Sequence, residues 1–238
     1  MKTIGLIGGM SWESSLEYYR IMNEKVKEEL GGYHSAKCLM YSVNFEEVKQ
    51  LQFCGNWEAA TELMIQAAEQ VERGGADCLM ICTNTMHMMA DEVQANIRIP
   101  LIHIADATGE QIQAHQLRKV GLLGTRFTME QEFYRKRLFD KYGIEVIIPE
   151  EADRETVHRI IYDELILGKI EPASKEAYKT IMQKLIDQGA EGIVLGCTEI
   201  MLLINQADCR FPIFDTTRIH AEAGVAFSLQ KQEVVQGI

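Results

Sequence analysis

The sequence lacks the motifs that mark most cofactor-dependent enzymes. Gly5, Gly8 and Gly9 do not form the GxGxxG pattern of a dinucleotide site. No GKS or GKT phosphate loop, HExxH zinc motif or GxSxG nucleophile elbow occurs either. We therefore expect no metal, no nucleotide or other cofactor, and no serine nucleophile.

Paired cysteines and long apolar runs are also missing. The six cysteines include no CxxC pair, and apolar neighbours surround most of them, which is typical of reduced thiols in a cytoplasmic enzyme. Residues 1–10 are too few and too rich in glycine for a signal peptide, and no apolar run approaches membrane-spanning length. We expect a cytoplasmic protein with no membrane partner.

Positive charge is scarce. The chain has 24 Lys and Arg against 35 Asp and Glu, which gives a formal net charge of -11. Neither nucleic acid nor an anionic membrane would attract such a chain, so we expect a small-molecule partner. An acidic ligand would need local positive potential, which backbone N–H groups at helix N-termini supply most readily.

Short apolar runs alternate with helical patterns from end to end. Residues 3–7, 38–42 and 78–82 are typical of strands, whereas residues 14–30 and 57–73 carry apolar side chains at helical spacing. This alternation predicts an α/β fold with parallel sheets that helices cover on both faces.

The chain contains an internal repeat, in which three segments recur in the same order about 114 residues later. The matched pairs are residues 3–8 with 119–124, 75–85 with 189–199, and 99–103 with 211–215. The repeat predicts a duplicated α/β domain. We place the first half at residues 1–105 with 213–238, and the second at residues 106–212.

Four residues lie directly after predicted strands. Met10, Thr83, Thr125 and Cys197 each lie just past a strand, two of them in each half. Ligands of parallel α/β sheets bind outside the carboxyl ends of the strands. We therefore expect both halves to face one cleft and to enclose one small ligand.

Cys197 is the strongest catalytic candidate. It closes a predicted strand and opens a predicted helix, whose N-terminus would lower the thiol pKa from its usual ~8.5. A buried structural cysteine is the alternative interpretation. The polar Thr198 and Glu199 that follow favour a functional role.

Hydroxyl and amide side chains occupy the equivalent position of the first half. Thr83, Asn84 and Thr85 follow the strand there, and such groups suit a carboxylate because they donate hydrogen bonds without adding charge. Helix capping by Asn84 or Thr85 is the common alternative. Thr125 and Thr128 are interpreted in the same way.

Four other residues are interpreted mainly as structural. Cys82 precedes Thr83 on a strand, so its side chain faces the packing layer if Thr83 faces the cleft. For His87 a structural role competes with a catalytic one, and we interpret His220 and Asp215 as structural.

Three segments resemble the aspartate/glutamate racemase family: residues 8–11 (GGMS), 83–87 (TNTMH) and 196–199 (GCTE). The resemblance covers nearly the whole chain and points to the bacterial aspartate racemase group within that family. It implies two pseudo-symmetric α/β/α domains, each with a small parallel sheet, with the active site in the cleft between them. It also implies a homodimer.

The resemblance further implies racemisation without pyridoxal phosphate. One thiolate removes the Cα proton and a thiol on the opposite face returns one, while hydrogen bonds around the α-carboxylate stabilise the carbanion. By match of position the implied substrate-binding residues are Met10, Ser11, Asn84, Thr85, Thr125, Thr128 and Thr198, together with Gln52 from a loop that often bears such a residue.

Two positions depart from the family pattern. The first cysteine of the family is Thr83 here, and the thiol precedes it at Cys82. A threonine hydroxyl is a very poor base at neutral pH, so the two faces of Cα are served unequally. Some relatives carry a lysine where this chain has Ile166, with Lys169 nearby, which leaves the cationic partner of a side-chain carboxylate unassigned.

The sequence therefore predicts a cofactor-independent racemase of aspartate, glutamate or both, with Cys197 and Thr83 as the catalytic pair. The second cysteine of the family serves the L-enantiomer, so we expect a bias towards L-substrates. Two alternatives stay open. One is a decarboxylase or cis–trans isomerase of small dicarboxylates, and the other is a non-catalytic protein that binds acidic amino acids.

Overall fold

The structure, a computed structural model, describes residues 1–230. The strands are β1 (Ile4–Gly8), β2 (Cys38–Ser42), β3 (Cys78–Ile81), β4 (Lys119–Gly124), β5 (Glu145–Ile147), β6 (Ile193–Gly196) and β7 (Ile213–Asp215). The α-helices are α1 (Trp12–Leu30), α2 (Phe45–Phe53), α3 (Trp57–Arg73), α4 (Ala90–Asn96), α5 (Ile104–Ala114), α6 (Arg126–Glu130), α7 (Glu132–Tyr142), α8 (Glu151–Asp163), α9 (Pro172–Asp187) and α10 (Thr216–Leu229). None of the helices in this range is long and apolar enough to cross a membrane.

The strands form two parallel sheets with equivalent strand orders. The first sheet has the order β2-β1-β3 and the second β5-β4-β6-β7. Leu101 extends the first sheet through a parallel bridge to Leu79 of β3, in the position that β7 holds beside β6. The repeated segments thus occupy equivalent places in the two sheets, and the predicted duplicated α/β architecture is confirmed.

Helices cover both faces of each sheet. In the first sheet Ile7 and Ile81 pack with side chains of α3 and α4, whereas Leu6, Met80 and Cys82 pack with side chains of α1 and α10. The second sheet packs in the same way against α8 and α9 on one face and against α5 and α7 on the other. Because both faces are covered, the central strands are apolar except for Lys119 at the start of β4. The position of Cys82, fully buried in this packing layer, confirms the prediction made for it.

The end of the described chain returns towards the first half. Strand β7 pairs with β6 in the second sheet, but α10 follows it directly and packs against α1 as well as α5. The chain therefore returns to the first half at the start of α10, after β7 has paired within the second sheet. The division of the chain into residues 1–105 with 213–238 and residues 106–212 stays a prediction, and residues 231–238 lie outside the described range.

The connection from β1 to α1 depends on glycine. Gly9 has a φ of 91°, and a Cβ atom at this position would collide with the carbonyl oxygen of Val43. The tight turn brings Met10 and Ser11 to the carboxyl end of the first sheet, where Ser11 caps α1 by accepting the backbone N–H of Ser14.

Candidate active site

A small cavity of about 20 Å³ lies where the carboxyl ends of the two sheets meet. Both halves contribute to its wall. In the described part of the chain the lining residues are Met10, Phe45, Gln52, Thr83, Asn84, Thr85, Thr125, Tyr162, Ile166, Gly196, Cys197 and Glu199. The structure therefore brings together most of the predicted site residues, whose roles stay predictions.

Three predicted site residues do not line the cavity themselves. Ser11, Thr128 and Thr198 are each 5% exposed or less, and each is hydrogen-bonded to a residue of the wall. Their hydroxyl groups therefore support the lining side chains from behind.

Three threonine hydroxyls meet where the halves join. They belong to Thr85, Thr125 and Thr128, and we call them the hydroxyl cluster. Thr85 Oγ1 lies 3.1 Å from Thr125 Oγ1 and 3.3 Å from Thr128 Oγ1, and the last two atoms are 3.2 Å apart. Thr125 also caps α6 by accepting the backbone N–H of Thr128. Because a hydroxyl rotates its proton to suit its partner, the cluster can present donors to a carboxylate. Capping and substrate binding are compatible at Thr125.

The side-chain amide of Asn84 uses its nitrogen in a hydrogen bond, but its oxygen has no partner in the described chain. Its Nδ2 donates to Thr216 Oγ1 at 3.0 Å, and the Thr216 hydroxyl donates to the Leu195 carbonyl at 2.7 Å. Its Oδ1 is buried and has no hydrogen-bond partner within residues 1–230. The Asn84 side chain caps no helix, so the capping alternative is wrong for this residue. A buried amide oxygen without a partner costs about 1–3 kcal/mol, so a ligand that donates to it would be stabilised.

Cys197 forms a hydrogen-bonded group with a carboxylate. Its Sγ lies 2.9 Å from Glu199 Oε2, and the Thr198 hydroxyl donates to the same oxygen at 3.1 Å. The other oxygen, Oε1, accepts the Ser11 hydroxyl at 2.7 Å. Glu199 is 2% exposed and Cys197 is 8% exposed, so the group is buried at the cavity wall.

The thiol of Cys197 is a weaker acid than the sequence predicts. Burial and the Glu199 carboxylate raise its pKa well above the ordinary value, although the backbone N–H groups of Thr198 and Glu199 act in the opposite direction. The segment after Cys197 forms a single 3₁₀ turn, Ile200–Leu202, instead of the predicted helix. The expected lowering of the thiol pKa was wrong, because burial beside a carboxylate outweighs the small dipole of so short a turn.

Thr83 lies on the wall that the first half contributes. No lining residue from that half, as far as the structure describes it, is an acid or a base. The Thr83 carbonyl oxygen lies 2.8 Å from His87 Nδ1, and His87 Nε2 accepts the backbone N–H of Ile104 at 3.2 Å. This pattern places the proton on Nδ1. Burial, together with nearby His103, lowers the pKa of His87 well below its ordinary value, so His87 is neutral and structural.

His220 and Asp215 are structural, as predicted. His220 is fully buried, with the Tyr18 hydroxyl 2.8 Å from Nδ1 and the Ile102 carbonyl oxygen 2.7 Å from Nε2. Asp215 is the N-cap of α10, where Oδ1 accepts two backbone N–H groups, one of them from Thr217. Neither residue lines the cavity.

Phe45, Tyr162 and Glu199 line the cavity but were not predicted as site residues. The Tyr162 hydroxyl donates to Gln52 Oε1 at 3.4 Å, and its ring meets that of Phe53 edge-on with centroids 5.3 Å apart. These contacts join α8 to α2 over the cavity. Glu199 could have been found by asking which acid or base follows the candidate nucleophile, whereas helices α2 and α8 carry no local signal that marks the aromatic residues.

The cavity wall carries no positive side chain in the described part of the chain. Its lining includes no Lys, Arg or His, and Glu199 is the one carboxylate among the residues given above. Ile166 lines the wall at the position where some relatives carry a lysine, whereas Lys169 is exposed to solvent. A ligand carboxylate would therefore be bound by hydroxyl, amide and backbone donors.

A second, wider cavity lies on the surface between α4, α5 and α7. It is lined partly by Arg137 and Lys141, and both cations bond to Asp106 at 2.7 Å. Its lining in residues 1–230 includes no cysteine, serine or threonine, and burial lowers the pKa of its two histidines, His87 and His103, well below the ordinary value. The cavity at Cys197 is therefore the better candidate for proton-transfer chemistry.

Comparison with known proteins gives a consistent result. The profile of the Asp/Glu/hydantoin racemase family matches residues 7–224. A broad specificity amino-acid racemase from Bacillus subtilis is 26% identical over 172 residues, which cover 71% of this chain and 72% of the relative.

Two solved structures share the fold. A Yersinia pestis protein with a provisional Asp/Glu racemase name is 54% identical, with a TM-score of 0.90 over 97% of this chain and 100% of that one. An aspartate racemase homologue from Pyrococcus horikoshii is 37% identical, with a TM-score of 0.84 over the same shares of the two chains. The chain therefore belongs to the Asp/Glu/hydantoin racemase family and is an isomerase.

Proposed function

We propose that the protein racemises amino acids, with aspartate, glutamate or both as its substrates, and that Cys197 exchanges the Cα proton on the face opposite Thr83. The observation that carries the proposal is the Cys197 thiol on the wall of a cavity that Thr83 lines from the other half. A positioned acid/base group in such a cavity can remove a proton from a bound substrate and return it.

The hydroxyl cluster is suited to the charge that this reaction creates. Removal of the Cα proton moves negative charge onto the substrate α-carboxylate, so donors fixed around that group stabilise the intermediate. Thr85, Thr125 and Thr128 lie within 3.3 Å of one another and are buried. We assign Thr85 and Thr125 to the α-carboxylate, with Thr128 holding both hydroxyls from behind.

The α-ammonium of an amino acid has acceptors on both halves of the cavity. Asn84 Oδ1 is a buried acceptor without a partner in the described residues, and Glu199 supplies a carboxylate. A dicarboxylate that lacks an ammonium would bring further negative charge beside Glu199 with no lining cation in residues 1–230. Because buried like charges repel strongly, this disfavours the decarboxylase and the cis–trans isomerase of small dicarboxylates.

The predicted bias towards L-substrates follows from the two unequal walls. Cys197 can accept a proton on its face of Cα, whereas the Thr83 hydroxyl is a very poor base and has no acid or base beside it on the described wall of its half. By family resemblance the Cys197 face is the one that removes the proton of the L-enantiomer. We therefore expect L-aspartate and L-glutamate to exchange rapidly and the D-enantiomers to exchange slowly.

Amino acids with uncharged side chains are a second candidate substrate class. Ile166 gives the wall an apolar side chain, and no cation of the described lining faces a substrate carboxylate. The Bacillus subtilis relative is named as a broad specificity racemase, which supports the same extension. Aspartate and asparagine differ little in shape, so comparing them isolates the effect of the side-chain charge.

Proton NMR in deuterium oxide tests the proposal. We expect loss of the Cα proton signal of L-aspartate or L-glutamate, with the carbon skeleton intact and the D-enantiomer appearing more slowly. Asparagine and glutamine, measured in parallel, report the second substrate class. Binding of these amino acids without any Cα exchange would overturn the proposal in favour of a non-catalytic binding protein, and loss of carbon dioxide would favour a decarboxylase.

A further inference from the structure

We propose that Glu199 is a catalytic residue of this site, which takes the thiol proton of Cys197 and gives it back, so that the two groups share one proton. The inference rests on the proposed racemase function and deepens it. It accounts for how a buried thiol becomes a base.

The contacts of Glu199 are those of a proton acceptor. Its Oε2 lies 2.9 Å from Cys197 Sγ, within hydrogen-bond reach of the S–H group, and also accepts the Thr198 hydroxyl. Its Oε1 accepts the Ser11 hydroxyl at 2.7 Å. Ser11 belongs to the first half and Glu199 to the second, so contact between the halves fixes the carboxylate beside the sulfur.

The charges at this point allow one proton for the pair. Glu199 is 2% exposed, and none of the lining residues in the described chain is a cation. A thiolate and a carboxylate this close in a buried site would repel each other strongly, so the pair holds one negative charge and one proton. That proton lies on either the sulfur or Oε2.

The proton transfers balance within the site. In the first step the S–H bond of Cys197 breaks and an O–H bond forms on Glu199, which leaves a thiolate and a carboxylic acid. In the second step the thiolate takes the Cα proton and an S–H bond forms. The electron pair of the broken C–H bond stays on the substrate as an enediolate. Reversal of both steps returns a proton to the face of Cα that lost it, so configuration is retained; inversion requires a proton from the opposite face, on which Thr83 lies. No oxidant or reductant is needed.

A shared proton has a consequence for pH dependence. Because the proton moves inside the pair, the thiolate form is reached without release to solvent, and its population is constant while the pair keeps one proton. A lone buried thiol would instead lose its proton to solvent. Its thiolate fraction would rise about tenfold for each pH unit below its pKa.

The test compares the wild-type chain with Glu199→Gln, in which the amide keeps the shape of the side chain but cannot take the thiol proton. The rate at which iodoacetamide alkylates Cys197 is measured between about pH 6 and about pH 9. Peptide mass spectrometry distinguishes alkylation of Cys197 from that of the other cysteines. We expect a flat wild-type profile and a Glu199→Gln profile that rises about tenfold per pH unit. Deuterium exchange of L-aspartate at Cα should follow the same two profiles.

Glu151→Gln is the matched control, since Glu151 is exposed and removed from the cavity, and it should keep the flat profile. If circular dichroism shows that Glu199→Gln is unfolded, Glu199→Asp withdraws the acceptor from the sulfur and should give the rising profile. Profiles of the same shape in the wild type and the position-199 variant, both flat or both rising, would overturn the shared proton. A flat alkylation profile in a wild-type chain that exchanges no amino acid would uphold it and overturn the racemase function.

Discussion

The two walls of the cavity descend from the same repeated segment, yet they carry different chemistry. Thr83 and Thr85 of the first half correspond in the repeat to Cys197 and Glu199 of the second. On the first wall the hydroxyl of Thr85 joins Thr125 and Thr128. On the second wall the thiol and the carboxylate lie 2.9 Å apart. The repeat thus preserves the backbone frame while the side chains differ, and in the proposed function one wall binds the substrate and the other exchanges its proton.

The strand faces also explain why Cys197 is the one thiol on the cavity wall in the described chain. The other nearby thiol, Cys82, precedes Thr83 but points into the core with Met80 and Tyr18, and burial raises its pKa. A thiol facing the core cannot reach a substrate in the cavity. The asymmetry of the two walls therefore rests on which strand face each sulfur occupies.

Removing the thiol of the second wall should have the largest effect. We expect Cys197→Ala to lower Cα exchange of L-aspartate by about 10³-fold or more, because no other thiol lines the cavity in the described chain. The rate is measured by NMR in deuterium oxide, with circular dichroism to check the fold. Cys54→Ala, at an exposed position, is the control and should exchange normally. Near-normal exchange in folded Cys197→Ala would break the comparison.

Restoring a thiol to the first wall should make the walls more alike. We expect Thr83→Cys to raise Cα exchange of D-aspartate and net racemisation in both directions by about a hundredfold, because each face of Cα then has its own thiol. The same substitution made together with Cys82→Ala should show the same gain, which assigns it to position 83. No gain in either protein would mean that Thr83 does not face the substrate.

A cation at Ile166 should sharpen the discrimination between charged and uncharged side chains. We expect Ile166→Lys to increase the ratio of aspartate to asparagine activity about tenfold, since one ion pair in a partly buried site contributes about 1.4 kcal/mol. The ratio of kcat/KM values for the two substrates measures the effect. Ile166→Met, which changes shape without charge, is the control. An unchanged ratio in Ile166→Lys would place the substrate side chain elsewhere.

The smallest effect is expected at Cys82. Because its side chain is fully buried in the packing layer, Cys82→Ala should leave exchange within a few-fold and lower the free energy of unfolding by about 1 kcal/mol. Urea denaturation monitored by circular dichroism measures the stability. A folded Cys82→Ala protein as inactive as Cys197→Ala would contradict the assignment of the strand faces.

The sequence predicted the architecture because its signals are local and repeated. Apolar strands followed by helical patterns specify parallel sheets, and the repeat places Leu101 and β7 at equivalent edges. Residues such as Thr85 and Thr125 could be predicted to meet, since the carboxyl ends of parallel strands face the same side. These inferences needed no knowledge of side-chain packing.

Other features depend on contacts between segments that are distant in the sequence. The raised pKa of Cys197 arises from burial and from the direction in which Glu199 points, and neither follows from strand or helix patterns. Tyr162 reaches the cavity from α8 by packing against α2, and its hydroxyl meets Gln52 there. Packing between the halves determines these positions, so the sequence pattern alone could not show them.

The inequality of the two walls is tested most directly by deuterium uptake from each enantiomer separately. L-aspartate and D-aspartate are incubated separately with the wild-type protein in deuterium oxide. The recovered enantiomers are separated, and the deuterium content of each is measured by mass spectrometry. At equilibrium the concentrations of the two enantiomers are equal, whatever the catalyst. The bias towards L-substrates must therefore appear in the rate of proton exchange that retains configuration. If Cys197 alone removes protons efficiently, L-aspartate takes up deuterium about a hundredfold faster than D-aspartate. Equal initial rates of uptake from the two enantiomers would contradict the division of roles between Cys197 and Thr83.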